Sequence, residues 1–234
     1  MGRHGDDNEH AAVTIVGTAR PGRAAASRTG ARAAGNDARR GRILEAARVV
    51  FESEGLEGAS MRAIGAEAGY TAAGLYFHFP NKEAIYAALL EETLDRLSAG
   101  IAEAAAAQRS AARSFVAASL AFYDFYATSP RDLDLGFYLF RGGMKKRGLS
   151  PELDQGLNAR LLAALAPIDA AARRMGGGEG QAREATASAV AHAAGLLLLV
   201  NTGRLRLFGG DARRAMQRHA EQVASNLRQT KETP

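Results

Sequence analysis

From about residue 40 onward, apolar residues recur at helical spacing, and no stretch alternates with the period of two that a half-buried strand requires. Ile43, Ala46, Ala47, Val50 and Phe51 form one stripe, which predicts a first helix from about Arg40 to Glu54, ended by Gly55. Met61, Ile64 and Ala68 predict a second, short helix, with Ser60 as its N-cap and Gly69 as its stop. Thr71 is placed to cap a third helix that turns Leu75 and Phe79 inward and ends at Pro80. Asn81 caps a long fourth helix from Lys82 to about Ala106, with Ile85, Leu89, Leu90, Leu94, Leu97 and Ile101 facing inward.

Five more helices are expected. The fifth begins after Ser110 and ends near Tyr126, and the sixth runs from Ser129-Pro130 to Gly142-Gly143. The seventh opens at Ser150-Pro151 and runs to about Met175, with Pro167 expected to kink or interrupt it. A flexible connector, Met175 to Gly180, leads to an eighth helix from Gln181 to Leu205. Gly209-Gly210-Asp211 stops that helix and caps a ninth, which ends near Arg228. The class is all-α: three small helices, one long linking helix and a larger helical domain.

Residues 1–37 are rich in Gly, Ala, Arg and Ser with little apolar period, and are read as a disordered basic arm or as a tail ahead of the true start. The chain has 234 residues, 47% hydrophobic and 24% charged, enough for one or two domains with an adequate core. With no cysteine, disulfides, thiolate metal sites and cysteine nucleophiles are excluded, and a reducing cytoplasm suits the chain. The five histidines lack metal-ligand spacing, so no metal and no cofactor is expected. The longest apolar run, Ala187 to Val200, is shorter than the ~20 residues a membrane span needs.

Net charge is +5, which permits a polyanion as partner. Between Arg39 and Glu83, however, six basic side chains face six acidic ones, so attraction to DNA must come from placement rather than from bulk charge.

The second and third helices, joined by a tight turn, have the layout of a helix-turn-helix, although any α domain can hold two short helices. The order Ile43, Ala46, Ala47, Phe51, Gly55, then Ser60, Arg62, Ile64, Ala68, Gly69, then Thr71, Leu75, Tyr76, His78, Phe79, Lys82, Glu83 resembles the DNA-binding domain of the tetracycline-repressor (TetR) family. The resemblance covers roughly a quarter of the chain at motif level. It implies a DNA-binding domain over residues 38–84 and a ligand-binding and dimerisation domain over 85–230. It also implies a cytoplasmic, dimeric, ligand-responsive repressor bound to a palindromic double-stranded operator. By position, Tyr76, His78 and Lys82 would touch phosphate, and Thr71 a phosphate or a base edge.

The groove-facing start, Thr71, Ala72, Ala73 and Gly74, offers few donors for base edges, although alanine suits a thymine methyl. Selectivity is therefore expected partly from Tyr70, Arg62 and the cluster Arg39, Arg40 and Arg42. That cluster either enters an adjacent minor groove or adds only non-specific, salt-sensitive affinity.

Eight of the fifteen Phe and Tyr residues fall between Phe115 and Phe140. Phe122, Tyr123, Tyr126, Phe137, Tyr138, Arg141 and His192 are the candidate lining of a pocket for a small apolar or amphipathic effector. A solid aromatic core fits them as well. The last two helices are the candidate dimer surface, with Ala212, Ala215, Met216, His219, Val223 and Leu227 along one side of the ninth. Two alternatives remain: a constitutive architectural DNA-binding protein without ligand, and a small helical enzyme. Against the enzyme stands the lack of a Gly-x-Ser-x-Gly elbow, a P-loop or a metal cluster.

Overall fold

Helix starts in this chain are fixed by short polar side chains. Ser60, Thr71, Asn81, Ser110 and Ser150 each accept a hydrogen bond from the backbone N–H three residues on, satisfying a donor the first turn leaves orphaned. The computed structural model describes residues 23–141 and 149–229, with side chains over 34–136 and 149–229. The helices are α1 (Arg23–Gly58), α2 (Met61–Ala68), α3 (Ala72–Tyr76), α4 (Lys82–Ala106), α5 (Ala111–Thr128), α6 (Pro130–Arg141), α7 (Pro151–Arg174), α8 (Glu179–Asn201) and α9 (Ala212–Gln229). A 3-10 turn, Arg204–Phe208, joins the last two, and no strand occurs among the described residues. The chain divides into two units, Met1–Gly41 and Arg42–Pro234.

Four expectations are corrected. Helix α1 begins at Arg23 rather than near Arg40, so residues 23–37 of the expected disordered arm are helical; its alanines and arginines favour helix and no proline interrupts it. Residues 1–22 lie outside the described residues. Gly55 does break α1 where expected, at φ 70°. Pro167 does not interrupt α7; Ala164, Leu165, Ile168, Ala171 and Ala172 are buried on both sides of it, and their packing holds the helix where one backbone hydrogen bond is missing. Helix α8 ends at Asn201, short of Leu205, because Gly203 turns into the left-handed region at φ 68°. The side of α9 expected to face a second subunit is largely used within the chain. Ala212, Met216 and Leu227 are buried with Ala220 and Ala224, whereas Ala215, His219 and Val223 are half-buried.

One core runs through the second unit. Phe51 meets Tyr86 edge-on at 5.2 Å. Further along α4, Leu89, Leu97 and Ile101 lie in the same core as Phe115, Ile168 and Leu197 from α5, α7 and α8. Helix α8 is long and apolar enough to cross a membrane by length and composition. It is nonetheless packed into this core through Ala182, Ala185, Ala189, Ala193, Leu196 and Leu197.

Candidate nucleic-acid interface

The site is built from the turn between α2 and α3. Ile64 is fully buried and anchors α2. Gly69, at φ 71°, ends α2, and the Tyr70 N–H reaches back to the Gly65 carbonyl at 2.8 Å. Gly65 lies against the backbone of the turn: a Cβ there would stand 2.9 Å from the Tyr70 carbonyl oxygen and 3.3 Å from the Ala72 nitrogen. Thr71 Oγ1 accepts from the Gly74 N–H at 3.1 Å, so the hydroxyl caps α3 and keeps its own proton free to donate outward. Leu75 is fully buried and fixes the rotation of α3. The opposite face carries exposed Ala73, Tyr76 (56% exposed) and Phe77 (90% exposed), with Ala72 half-buried beside them. Phe79 returns to the core and Asn81 starts α4.

A short helix held by its partner, with one face outward, matches the plan of a recognition helix braced by its neighbour. Residues 43–89 match the family model of bacterial regulatory proteins of the tetR family. The HTH-type transcriptional activator FasR of Mycolicibacterium smegmatis is 37% identical over 89 residues, 38% of this chain and 41% of that protein. The matched part thus spans well under half of the curated relative. Among solved structures, a TetR family transcription regulator from Marinobacter aquaeolei VT8 superposes with a TM-score of 0.60 at 15% identity, covering 80% of this chain and 95% of its own. The transcriptional regulator FadR from Bacillus subtilis, in complex with stearoyl-CoA, gives 0.61 at 19% identity, covering 79% and 97%. Residues 43–89 form a tetR-type DNA-binding domain.

Within this tetR-type reader, two of the expected contact residues are engaged inside the protein. The Lys82 ammonium donates to the Glu57 carbonyl at 3.1 Å and the Ala59 carbonyl at 2.9 Å. It therefore ties the start of α4 to the end of α1, with two of its three donors engaged. Position in the chain could not reveal this, because the carbonyls come from residues more than twenty positions upstream. Lys82→Ala is expected to lower stability by about 1–2 kcal/mol, at the low end for charged hydrogen bonds because the site is half-exposed. It should leave the slope of log affinity for DNA against log salt unchanged; a slope reduced by about one would instead mark a phosphate contact.

Tyr70 is turned inward rather than presented on the surface. Its hydroxyl is buried without a hydrogen-bond partner and its ring packs on the core. The Arg42 guanidinium lies 5.3 Å from the ring centroid, so Arg42 and Tyr70 stack on each other. Arg62 is exposed on α2 and His78 is half-buried after α3. Arg39 is exposed and Arg40 half-buried in the other unit. The exposed ring of Phe77 escaped the sequence analysis; its spacing of two from Leu75 and Phe79, which both point inward, was the available signal.

Of the expected effector-site residues, Phe122, Tyr123 and Tyr126 are buried on α5, and Phe122 packs on Tyr126 at 5.3 Å. Burial pushes the Tyr126 hydroxyl up to about 12. The side chains of Phe137, Tyr138 and Arg141 lie outside the described residues. His192 lies on α8. It stacks on His219 of α9, centroids 4.0 Å apart, while His219 Nε2 meets the Ser188 hydroxyl at 3.2 Å. Loss of water, then the neighbouring His219, holds His192 below the usual histidine value, with a backbone hydrogen bond at Ala215 opposing.

The folded state thus disfavours the proton on His192, and the stability contributed by its neutral form is present above the unfolded value of 6.5 and lost as pH falls. Melting temperatures between pH 8 and 5 should therefore fall less steeply in His192→Leu than in the wild type. Parallel curves would remove the histidine pair from the account.

Proposed function

We propose that this chain is a ligand-responsive transcriptional repressor that binds a palindromic operator as a dimer. The outward face of α3, fixed by Leu75 and by the close approach at Gly65, carries the proposal: it presents Thr71, Ala72, Ala73 and Tyr76 to a major groove. Arg62, His78 and the arginines at 39, 40 and 42 are the phosphate and minor-groove contacts in this scheme. Lys82 and Tyr70 support the reader from behind.

Dimerisation is assigned to the outer side of α8 and the segment after it. Ala187, Ala191, Gly195 and Leu198 are exposed along one line of that helix, followed by Leu207 and Phe208 at 80% and 72% exposure. Two readers about one DNA turn apart, ~34–36 Å, then face a two-fold site.

The effector proposed is a fatty-acyl thioester bound among the α5 aromatics. Support comes from the FadR neighbour's ligand and from Ser119, whose hydroxyl is fully buried with no partner on the same helix as Phe115, Phe122 and Tyr123. A polar atom left unpaired in an apolar interior is costly unless something meets it.

Selection of genomic DNA fragments at about 0.15 M ionic strength tests the scheme, with Tyr76→Ala in parallel. A recovered palindrome lost in the variant supports it, as does release of that DNA by an acyl-CoA. Binding without shared sequence, at any ligand concentration, leaves the architectural alternative. Since the curated relative is an activator, a reporter carrying the recovered site decides the sign of regulation.

A further inference from the structure

We propose that Phe77 is a specificity-determining residue, whose phenyl ring, together with the Ala73 methyl group, covers thymine 5-methyl groups in the major groove. The inference rests on the DNA-reading role proposed above for α3.

Phe77 is the most exposed of the large apolar side chains among the described residues, at 90%. The reader buries its other phenylalanines: Phe51 is 6% exposed and Phe79 3%. Isolated exposed apolar residues are ordinary on protein surfaces, so exposure alone decides nothing. Place decides. Phe77 closes α3 with helical dihedrals, φ −70° and ψ −21°, so it stands one turn beyond Ala73 on the same side. That side is opposite Leu75, the residue turned fully into the core.

The chemistry of this face is narrow. A phenyl ring has neither donor nor acceptor, so Phe77 can take no phosphate oxygen and no base-edge hydrogen bond. Ala73 is equally limited, and Gly74 has no side chain. In a major groove the matching apolar group is the thymine methyl, which no other base carries. The Tyr76 hydroxyl, on the adjacent position, remains available for the backbone. The reader would therefore recognise a pattern of methyl groups more than a pattern of hydrogen bonds.

Deoxyuridine differs from thymidine only by that methyl. The fragment recovered by genomic selection is synthesised in both forms and titrated with wild type, Phe77→Ala and Phe77→Leu. Wild type should prefer the thymine form by about fourfold for each methyl covered. Phe77→Ala should lose at least half of that preference, with unchanged helical circular dichroism and unchanged salt dependence, and Phe77→Leu should keep part of it. Equal affinity of wild type for the two forms overturns the inference and leaves DNA binding standing. So does a full thymine preference retained by Phe77→Ala. Recovery of no fragment removes the DNA-reading role and this inference together.

Discussion

Gly65→Val should destabilise the protein by about 3 kcal/mol and remove DNA binding at concentrations where the wild type saturates its site. A Cβ at position 65 meets backbone atoms of the turn, the Tyr70 carbonyl at 2.9 Å and the Ala72 nitrogen at 3.3 Å, and backbone cannot step aside as a side-chain tip can. Overpacking of this kind costs about 1–3 kcal/mol and occasionally more. Gly65→Ala sets two effects against each other, because alanine in a helix gains about 1 kcal/mol over glycine. The clash should win by about 1 kcal/mol. Gly100→Ala is the control: nothing lies within 4 Å of its Cβ position on α4, so only the helical gain remains and stability should rise. Urea unfolding measures all three, and a Gly65→Val protein as stable as the wild type would contradict the close approach.

Asp132→Ala should cost about 2–4 kcal/mol. The carboxylate, on α6, has a side chain only 6% exposed and accepts from Arg96 at 2.7 Å, Thr93 Oγ1 at 3.0 Å and Arg48 at 3.3 Å. Removing one member of a buried pair leaves the other charge uncompensated, which commonly costs about 3–5 kcal/mol. Here the figure is discounted because Arg96 is 52% exposed and recovers water. Arg48 cannot: it is 16% exposed, and its other carboxylates stand at 3.9 Å in Glu45 and 4.0 Å in Glu92. Arg96→Ala should accordingly lose less than 1 kcal/mol, while Arg48→Ala approaches the Asp132 effect. If Asp132→Ala and Arg96→Ala unfold at the same urea concentration, the buried charge is not what holds α6 against α1 and α4.

Local chemistry was legible along the chain because it depends on neighbours in sequence. The caps at Ser60, Thr71, Asn81, Ser110 and Ser150, the break at Gly55 and the left-handed stop at Gly69 each involve residues within one turn of one another. The tetR-type reader and the all-α class followed from that register. What stayed hidden was set by distant partners. Lys82 is claimed by carbonyls of Glu57 and Ala59, Asp132 by α1 and α4, and His192 by a histidine on another helix. That Pro167 does not interrupt α7 was hidden for the same reason, since the packing that holds the helix across a missing hydrogen bond comes from other helices. On α3, helical geometry turns Phe77 away from Leu75 and Phe79, which are both buried, and the sequence analysis assigned it no role.

Helix α4 starts at the reader, under the Asn81 cap and the Lys82 tie, and runs without interruption to Ala106. Its 25 residues make a rod of about 37 Å at ~1.5 Å per residue. A rod of that length works as a lever: a tilt of about 5° about its far end moves the near end by about 3 Å, a full hydrogen-bond length. A molecule bound at the far end would move the reader only as far as it binds one tilt of the rod more tightly than another.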